Sequence, residues 1–299
     1  MSFFSMPLVS GGIVCTKDND GSLVPKIEKL RRVLDDADAV VVGAGAGMST
    51  AAGLTYSGAR FDEHFADFRD AFGITDMYSG GFYPFPDMET FWAWWSRHIY
   101  YNRYDAEPGR PYLDLLQLVK DKDYFVITTN VDHQFQLAGF DKHRLFCTQG
   151  DYGLLQCSMP CQQVTYDNEE RVRAMIEQQQ GLRVPSELVP HCPNCGRPMT
   201  THLRVDDRFV EDEGWHAAAA RYDEFCRRHE GMRVLYLELG VGMNTPMVIK
   251  YPFWNAVDAN PKATYASVNL GESCAPEAVK ERSILIDGDV GKILSACVS

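Results

Sequence analysis

Residues 39–53 read Ala-Val-Val-Val-Gly-Ala-Gly-Ala-Gly-Met-Ser-Thr-Ala-Ala-Gly, and no other stretch narrows the fold as far. Ala39 to Val42 has the continuous apolar character of a strand buried on both faces. The glycines that follow leave the backbone free to turn and to approach a ligand closely. Met48 to Gly53 then reads as the first turns of a helix. Strand, glycine loop and helix in that order open a nucleotide-binding α/β unit, in which helix N–H groups meet phosphate. The candidates to meet a pyrophosphate here are the loop glycines Gly43, Gly45 and Gly47, with Ser49. Ser49 has the plainer alternative of an ordinary helix-start residue. The run does not match the dehydrogenase fingerprint G-x-G-x-x-G, whose third glycine would fall at Met48 or Thr50.

Five more short apolar runs follow: 124–129, 145–147, 234–239, 264–268 and 283–286. Helical patterns lie between them, beginning with 25–37, while 60–106 is rich in aromatics and reads as core-packing helices. The alternation predicts a Rossmann-like, doubly wound parallel sheet. Ligands of such sheets sit at the carboxyl ends of the strands. There the chain places Thr129-Asn130-Val131-Asp132, Gln149-Gly150, Gly240-Val241-Gly242 with Asn244, Asn269, and Asp287-Gly288-Asp289. Asn130 and Asp132 have the plainer alternative of capping turns, and Asn244 could equally be a plain loop residue. Arg103 and Arg110 are candidates to meet phosphate or an acidic partner.

Residues 151–215 interrupt the alternation with two cysteine pairs, Cys157-x-x-x-Cys161 and Cys192-Pro-Asn-Cys195, and little strand signal. A knuckle such as Cys-Pro-Asn-Cys-Gly aims two thiolates at one point. Four thiolates make a closed tetrahedral site, the structural type of zinc centre. His191 leaves a mixed ligand set open. The expected organisation is one domain over 1–299, with a nucleotide-binding core at 25–150 and 216–295 and a small zinc-ribbon module at 151–215. Cys147, Cys226 and Cys274 read as small buried hydrophobes. Nine cysteines, an odd number with four in close pairs, suit a reducing compartment better than a disulfide framework.

The formal charge is −12, which argues against non-specific binding to nucleic acid or to an anionic membrane. No run of about 18 apolar residues exists to span a bilayer. The first residues lack the pattern of a secretory leader, so the expectation is a cytoplasmic protein.

The ordered set of motifs resembles the sirtuins over residues 25–295. Gly45-Ala46-Gly47-Met48-Ser49 with Gly53 resembles the family's Gly-Ala-Gly-x-Ser loop. Thr128-Thr129-Asn130-Val131-Asp132 resembles Thr-Gln-Asn-Ile-Asp. The cysteine pairs follow, then Gly240-Val241-Gly242 in place of Gly-Thr-Ser, Asn269, and Gly288-Asp289-Val290. This resemblance implies NAD as donor substrate, bound also by Thr129, Gly240, Gly242, Asn244, Asn269 and Asp289. It implies that Asn130 holds the reactive ribose and that Asp132 binds the nicotinamide carboxamide. The departures are as specific. Gln149-Gly150 stands where sirtuins carry a catalytic His-Gly, residues 197–205 lack the Phe-Gly-Glu segment, and Thr55-Tyr56-Ser57-Gly58 replaces Asp-Phe-Arg. Glutamine cannot act as a base near neutral pH, so Gln149 is expected to bind and orient ribose. His133 is a lesser candidate for a base. These features resemble the macrodomain-linked class M sirtuins, which transfer ADP-ribose to protein. The implied partners are a lipoyl-carrier acceptor related to the glycine-cleavage H protein and a macrodomain hydrolase. The alternatives are a deacylase of unusual acyl specificity and a non-catalytic NAD or ADP-ribose sensor.

Overall fold

The computed structural model describes residues 12–16, 20–243, 246–271 and 273–299. Its centre is a six-stranded sheet of β1 (Ala39–Ala44), β2 (Tyr124–Thr128), β3 (Leu145–Cys147), β4 (Val234–Leu239), β5 (Thr264–Val268) and β6 (Ser283–Ile286). The order is β6-β5-β4-β1-β2-β3, and every pairing is parallel. The chain therefore reverses its direction of travel between β1 and β4, which opens a crevice at their carboxyl ends.

Every residue of β1, β2 and β4 is buried, in keeping with sequences that are apolar except for Thr128 and Glu238. The two-residue period sends Val40 and Val42 to one face of the sheet and Ala39 and Val41 to the other. The first face is covered by Asp20–Asp36, Arg110–Val119 and Val290–Val298, through Leu30, Leu34, Leu115 and Ile293. The second is covered by Glu213–Arg228 and Lys250–Ala259, through Tyr222, Phe225, Phe253 and Trp254. No helix among the described residues is long and apolar enough to cross a membrane.

A separate hydrophobic core joins residues on both sides of position 150. Helices Ala59–Phe72 and Met88–Ile99, followed by a π-helical turn at Tyr100–Tyr104, pack against a three-stranded antiparallel sheet. Phe61, Phe65, Phe68, Trp92 and Trp94 fill this core, with the Trp94 ring 4.5 Å from that of Phe65. The second helix starts where Asp87 accepts a hydrogen bond from the Thr90 N–H, 2.8 Å away.

That antiparallel sheet corrects the expectation of little strand in 151–215. Gly150–Cys157 is its central strand, flanked by Tyr166–Asp167 and Met199–Leu203. Its sequence, GDYGLLQC, lacks a regular apolar alternation because pairing with Met199–Leu203 shifts register between Asp151 and Leu155. A second correction concerns Cys274, which is no free thiol but is bonded to Cys15. Two short antiparallel strands, Ile13–Cys15 and Cys274–Pro276, place these residues opposite each other. A separation of 259 residues hid the pair from local reading.

Beneath the crevice, a fully buried ion pair anchors β4. Glu238 accepts from Lys250 Nζ (2.5 Å), Tyr265 OH (2.7 Å) and Ser267 Oγ (3.0 Å), and both charged side chains are inaccessible. Removing one buried charge strands the other, at a cost of about 3 kcal/mol or more. Lys250→Met alone should lower the thermal midpoint by roughly 6 °C or more. Adding Glu238→Gln should recover much of that loss, a coupling that a double-mutant cycle by calorimetry would detect. Independent, additive effects would contradict this account.

Candidate functional site

The glycine loop leaves β1 and meets the loop that leaves β4 backbone to backbone. Gly45 N donates to Leu239 O at 3.0 Å and Gly47 N to Gly240 O at 2.9 Å. A Cβ on Gly47 would lie 2.7 Å from Gly240 Cα, and one on Gly45 would lie 2.7 Å from Gly240 O. Gly240 has φ +62°, and a Cβ there would reach within 2.4 Å of Met48 N. These glycines thus seat two loops against each other with no room for a side chain. Ala46 opens the short Ala46–Ala51 helix, and Gly53 follows it at φ +89°.

Just after β5, Asn269 Nδ2 donates to Val241 O at 3.2 Å, tying Gly240-Val241-Gly242 to the next strand end. Asp289 accepts from Lys292 N at 2.8 Å and so caps the last helix. Thr129 N donates to Ala44 O, linking the ends of β1 and β2. Asn244 lies outside the described residues.

Four polar side chains close over this edge. Ser49 Oγ donates to Asp132 Oδ2 and lies 3.0 Å from Tyr112 OH. Asn130 Nδ2 donates to Gly45 O (2.9 Å) and to Tyr112 OH (3.2 Å), which leaves its Oδ1 without a donor among the described residues. Asp132 Oδ1 accepts from Gln134 N at 3.2 Å. Burial raises the Asp132 carboxyl above the ordinary carboxylate range, against the opposing bonds from Ser49 and Gln134. Burial, reinforced by the Asp132 charge, holds the Tyr112 phenol well above its usual value.

Gln149 follows β3, where Thr148 Oγ1 donates to Thr128 O at 3.0 Å. Its backbone carbonyl accepts from Arg204 N at 3.0 Å, and its half-buried side-chain amide has no partner among the described residues. His133 stands in the left-handed region at φ 65°, a strained position for a residue with a Cβ. Its Nδ1 lies 3.3 Å from Asp151 Oδ2, and Arg103 Nη1 lies 2.7 Å from Asp151 Oδ1. Arg110 Nε lies 2.7 Å from Asp114 Oδ1. Each of the two arginines that the sequence offered to a ligand thus has a carboxylate of this chain beside it, although Arg110 stays largely exposed.

Sequence reading gave no site role to Tyr112, Tyr56, Tyr152 or His98; the fold sets Tyr112 on the Ser49 that bonds Asp132 and links the other three by hydrogen bonds. Tyr56 OH is 2.6 Å from Tyr152 OH, which is 2.8 Å from His98 Nε2. They come from four separate segments, and nothing local marks them. The one legible sign was Tyr56, standing where the resemblance expected Asp-Phe-Arg.

Away from the crevice, the sulfurs of Cys157, Cys161, Cys192 and Cys195 all lie within 4.8 Å of one another, two of the pairs at 3.6 Å. Thiolates around one tetrahedral ion stand about 3.8 Å apart, so this set fits such an ion. Backbone N–H groups of Cys195 and Asn194 help draw the Cys192 thiol down to about 7, toward the ligating form.

No family model matches the chain. It is 39% identical over 272 residues to a protein ADP-ribosyltransferase of Staphylococcus aureus, covering 91% of this chain and 86% of that protein. It is 31% identical over 289 residues to a probable bifunctional ADP-ribose hydrolase/ADP-ribosyltransferase of Fusarium oxysporum, covering 88% of this chain and 46% of that protein. Among solved structures, it superposes on Sir2Tm bound to a propionylated peptide with a TM-score of 0.59, at 19% identity, covering 91% and 96% of the two chains. A Sir2–p53 peptide–NAD+ complex gives 0.55, at 19% identity, covering 90% and 96%. These likenesses establish a sirtuin-type fold.

The raised Asp132 carboxyl sets a test. A folded state that holds the proton more tightly than the unfolded chain gains stability at low pH and loses it as pH rises through the raised value. Asp132→Asn keeps the volume and removes the charge. Near pH 8 it should raise the thermal midpoint by about 2 °C or more, the advantage shrinking as acid protonates the wild type. A lower midpoint at that pH would contradict the buried-charge reading.

Proposed function

The chain belongs to the family of sirtuin-fold protein ADP-ribosyltransferases, and on that premise we propose that it cleaves NAD and transfers ADP-ribose to a lipoyl-carrier protein. NAD supplies the transferred group. The bond between nicotinamide nitrogen and ribose C1′ breaks, its electron pair leaves with nicotinamide, and the acceptor's nucleophile bonds to C1′. The observation that carries the reading is the buried Asp132–Ser49–Tyr112–Asn130–Gly45 network at the carboxyl edge of β1 and β2, beside a glutamine in place of a titratable imidazole.

In this reading Asn130 turns its uncommitted Oδ1 to the ribose, with both amide hydrogens spent on fixing its orientation. Asp132 takes the carboxamide, held in one rotamer by Ser49. Gly45, Ala46, Gly47 and Ser49 line the dinucleotide's phosphates, while Gly53, Thr129, Gly240, Gly242, Asn244, Asn269 and Asp289 complete its bed. Gln149 orients ribose hydroxyls and cannot activate one as a base. Positioning and electrostatic stabilisation then do most of the catalytic work.

Two finer assignments accompany this one. The four-sulfur set holds structural zinc, whose removal by a strong chelator should release one equivalent per chain and lower the thermal midpoint by several degrees. Retention of stability with no metal released would dismiss it. A hydrolase that reverses the modification is the functional partner, in keeping with a fungal relative whose name joins both activities and of which this chain spans under half.

Nicotinamide release and labelling of a purified lipoyl carrier by radiolabelled NAD test the activity. Asn130→Ala should cut both by roughly 10²-fold or more. Gln149→His should gain deacetylation of an acetylated peptide if the missing imidazole alone blocks it. Rapid deacetylation by the wild type, or no nicotinamide release with any acceptor, would overturn the proposal.

A further inference from the structure

Tyr152 ties together three elements of the crevice wall. Its backbone N–H donates to Val131 O at 3.0 Å, between the two residues proposed to hold ribose and carboxamide. Its hydroxyl sits between Tyr56 OH (2.6 Å) and His98 Nε2 (2.8 Å). Tyr56 is anchored in turn, its carbonyl accepting from Met77 N at 2.8 Å and its ring meeting His98 edge-on at 5.4 Å.

Counting protons gives this chain a direction. His98 is buried, and burial with the nearby Arg60 cation draws its imidazole down to about 3, so it is neutral. A neutral imidazole carries one N–H. Its Nδ1 is buried without a hydrogen-bond partner among the described residues. An orphaned N–H is rarer than an orphaned acceptor, which assigns the hydrogen to Nε2. His98 Nε2–H then donates to Tyr152, and Tyr152 donates to Tyr56. The hydrogen of Tyr56 is left over, and no described residue accepts it. Burial, with a smaller contribution from the charge of Asp132, pushes the Tyr56 phenol up to about 12, so the hydroxyl remains a donor at neutral pH.

We propose that Tyr56 donates this spare hydrogen bond to the carboxamide oxygen of nicotinamide, while Asp132 holds the carboxamide nitrogen, and that Tyr152 and His98 are positioning residues behind it. The proposal rests on the transferase reading above. It divides one amide between an acceptor and a donor, each fixed by its own buried partner. An amide ligand is favoured over an ester or acid at this position, because only the amide offers hydrogens to Asp132 and an oxygen to Tyr56 at once.

Nicotinamide inhibition of NAD cleavage is measured alongside ADP-ribose binding by calorimetry. Tyr56→Phe should raise the nicotinamide inhibition constant about 5-fold, the equivalent of one neutral hydrogen bond, and leave ADP-ribose affinity within about 2-fold. Tyr152→Phe and His98→Leu should do the same by misdirecting Tyr56. His98→Gln, which restores a donor at the same reach, should behave as wild type. Intact ADP-ribose binding certifies that each variant is folded. If the wild type releases no nicotinamide, the transferase reading fails. If it does, and Tyr56→Phe leaves the nicotinamide constant unchanged, this inference alone is overturned. Equal behaviour of His98→Gln and His98→Leu would remove the positioning role.

Discussion

Gly47 and Gly240 come so close that neither can carry a side chain, and the crevice depends on that approach. The two residues lie just beyond different strands, almost two hundred positions apart, and their contact fixes how the chain leaves β1 and β4. Gly45, locked by the same contact, presents the carbonyl that orients Asn130. Asn130 and Ser49 share Tyr112, and Ser49 holds Asp132. The polar groups of the crevice thus hang on a backbone contact that involves no ligand. Glycine loops are usually explained by the phosphate they admit. Here the neighbouring strand end makes the same demand.

The buried network also separates what is fixed before a substrate arrives from what is left open. Asn130 spends both its amide hydrogens on the protein, Asp132 is oriented by a serine and a backbone N–H, and Tyr152 occupies the space between two other side chains. Acceptor capacity on Asn130 and the side-chain amide of Gln149 remain unspent. Preorganisation of this kind lowers the reorganisation needed during bond cleavage, and it is maintained here at the expense of a carboxylate kept in a poor dielectric environment.

Much of this was legible in the sequence. The six strands could be read because parallel strands covered on both faces become short, largely apolar runs, and each is followed by a polar or glycine residue. The cysteine sheet was not legible, since Gly150–Cys157 changes register midway and loses its alternation. Asn130, Asp132 and Gln149 stood out because they directly follow strands. Tyr112, Tyr152 and His98 did not, because a buried tyrosine or histidine on a helix or strand looks the same whether its hydroxyl or ring nitrogen reaches an active site or merely packs. Their meaning arises only when separate segments meet. The pairing of Cys15 with Cys274 escaped for the same reason.

That bond has a consequence for the molecule when it is not folded. It joins positions 15 and 274, so most of the polypeptide becomes a covalent ring. A closed ring of this size forfeits loop entropy equivalent to about 5 kcal/mol on the chain-statistical estimate, all of it withdrawn from the disordered ensemble. The oxidised denatured chain cannot reach the dimensions of its linear counterpart, and it begins any refolding with the segments of Ile13–Cys15 and Cys274–Pro276 already neighbours.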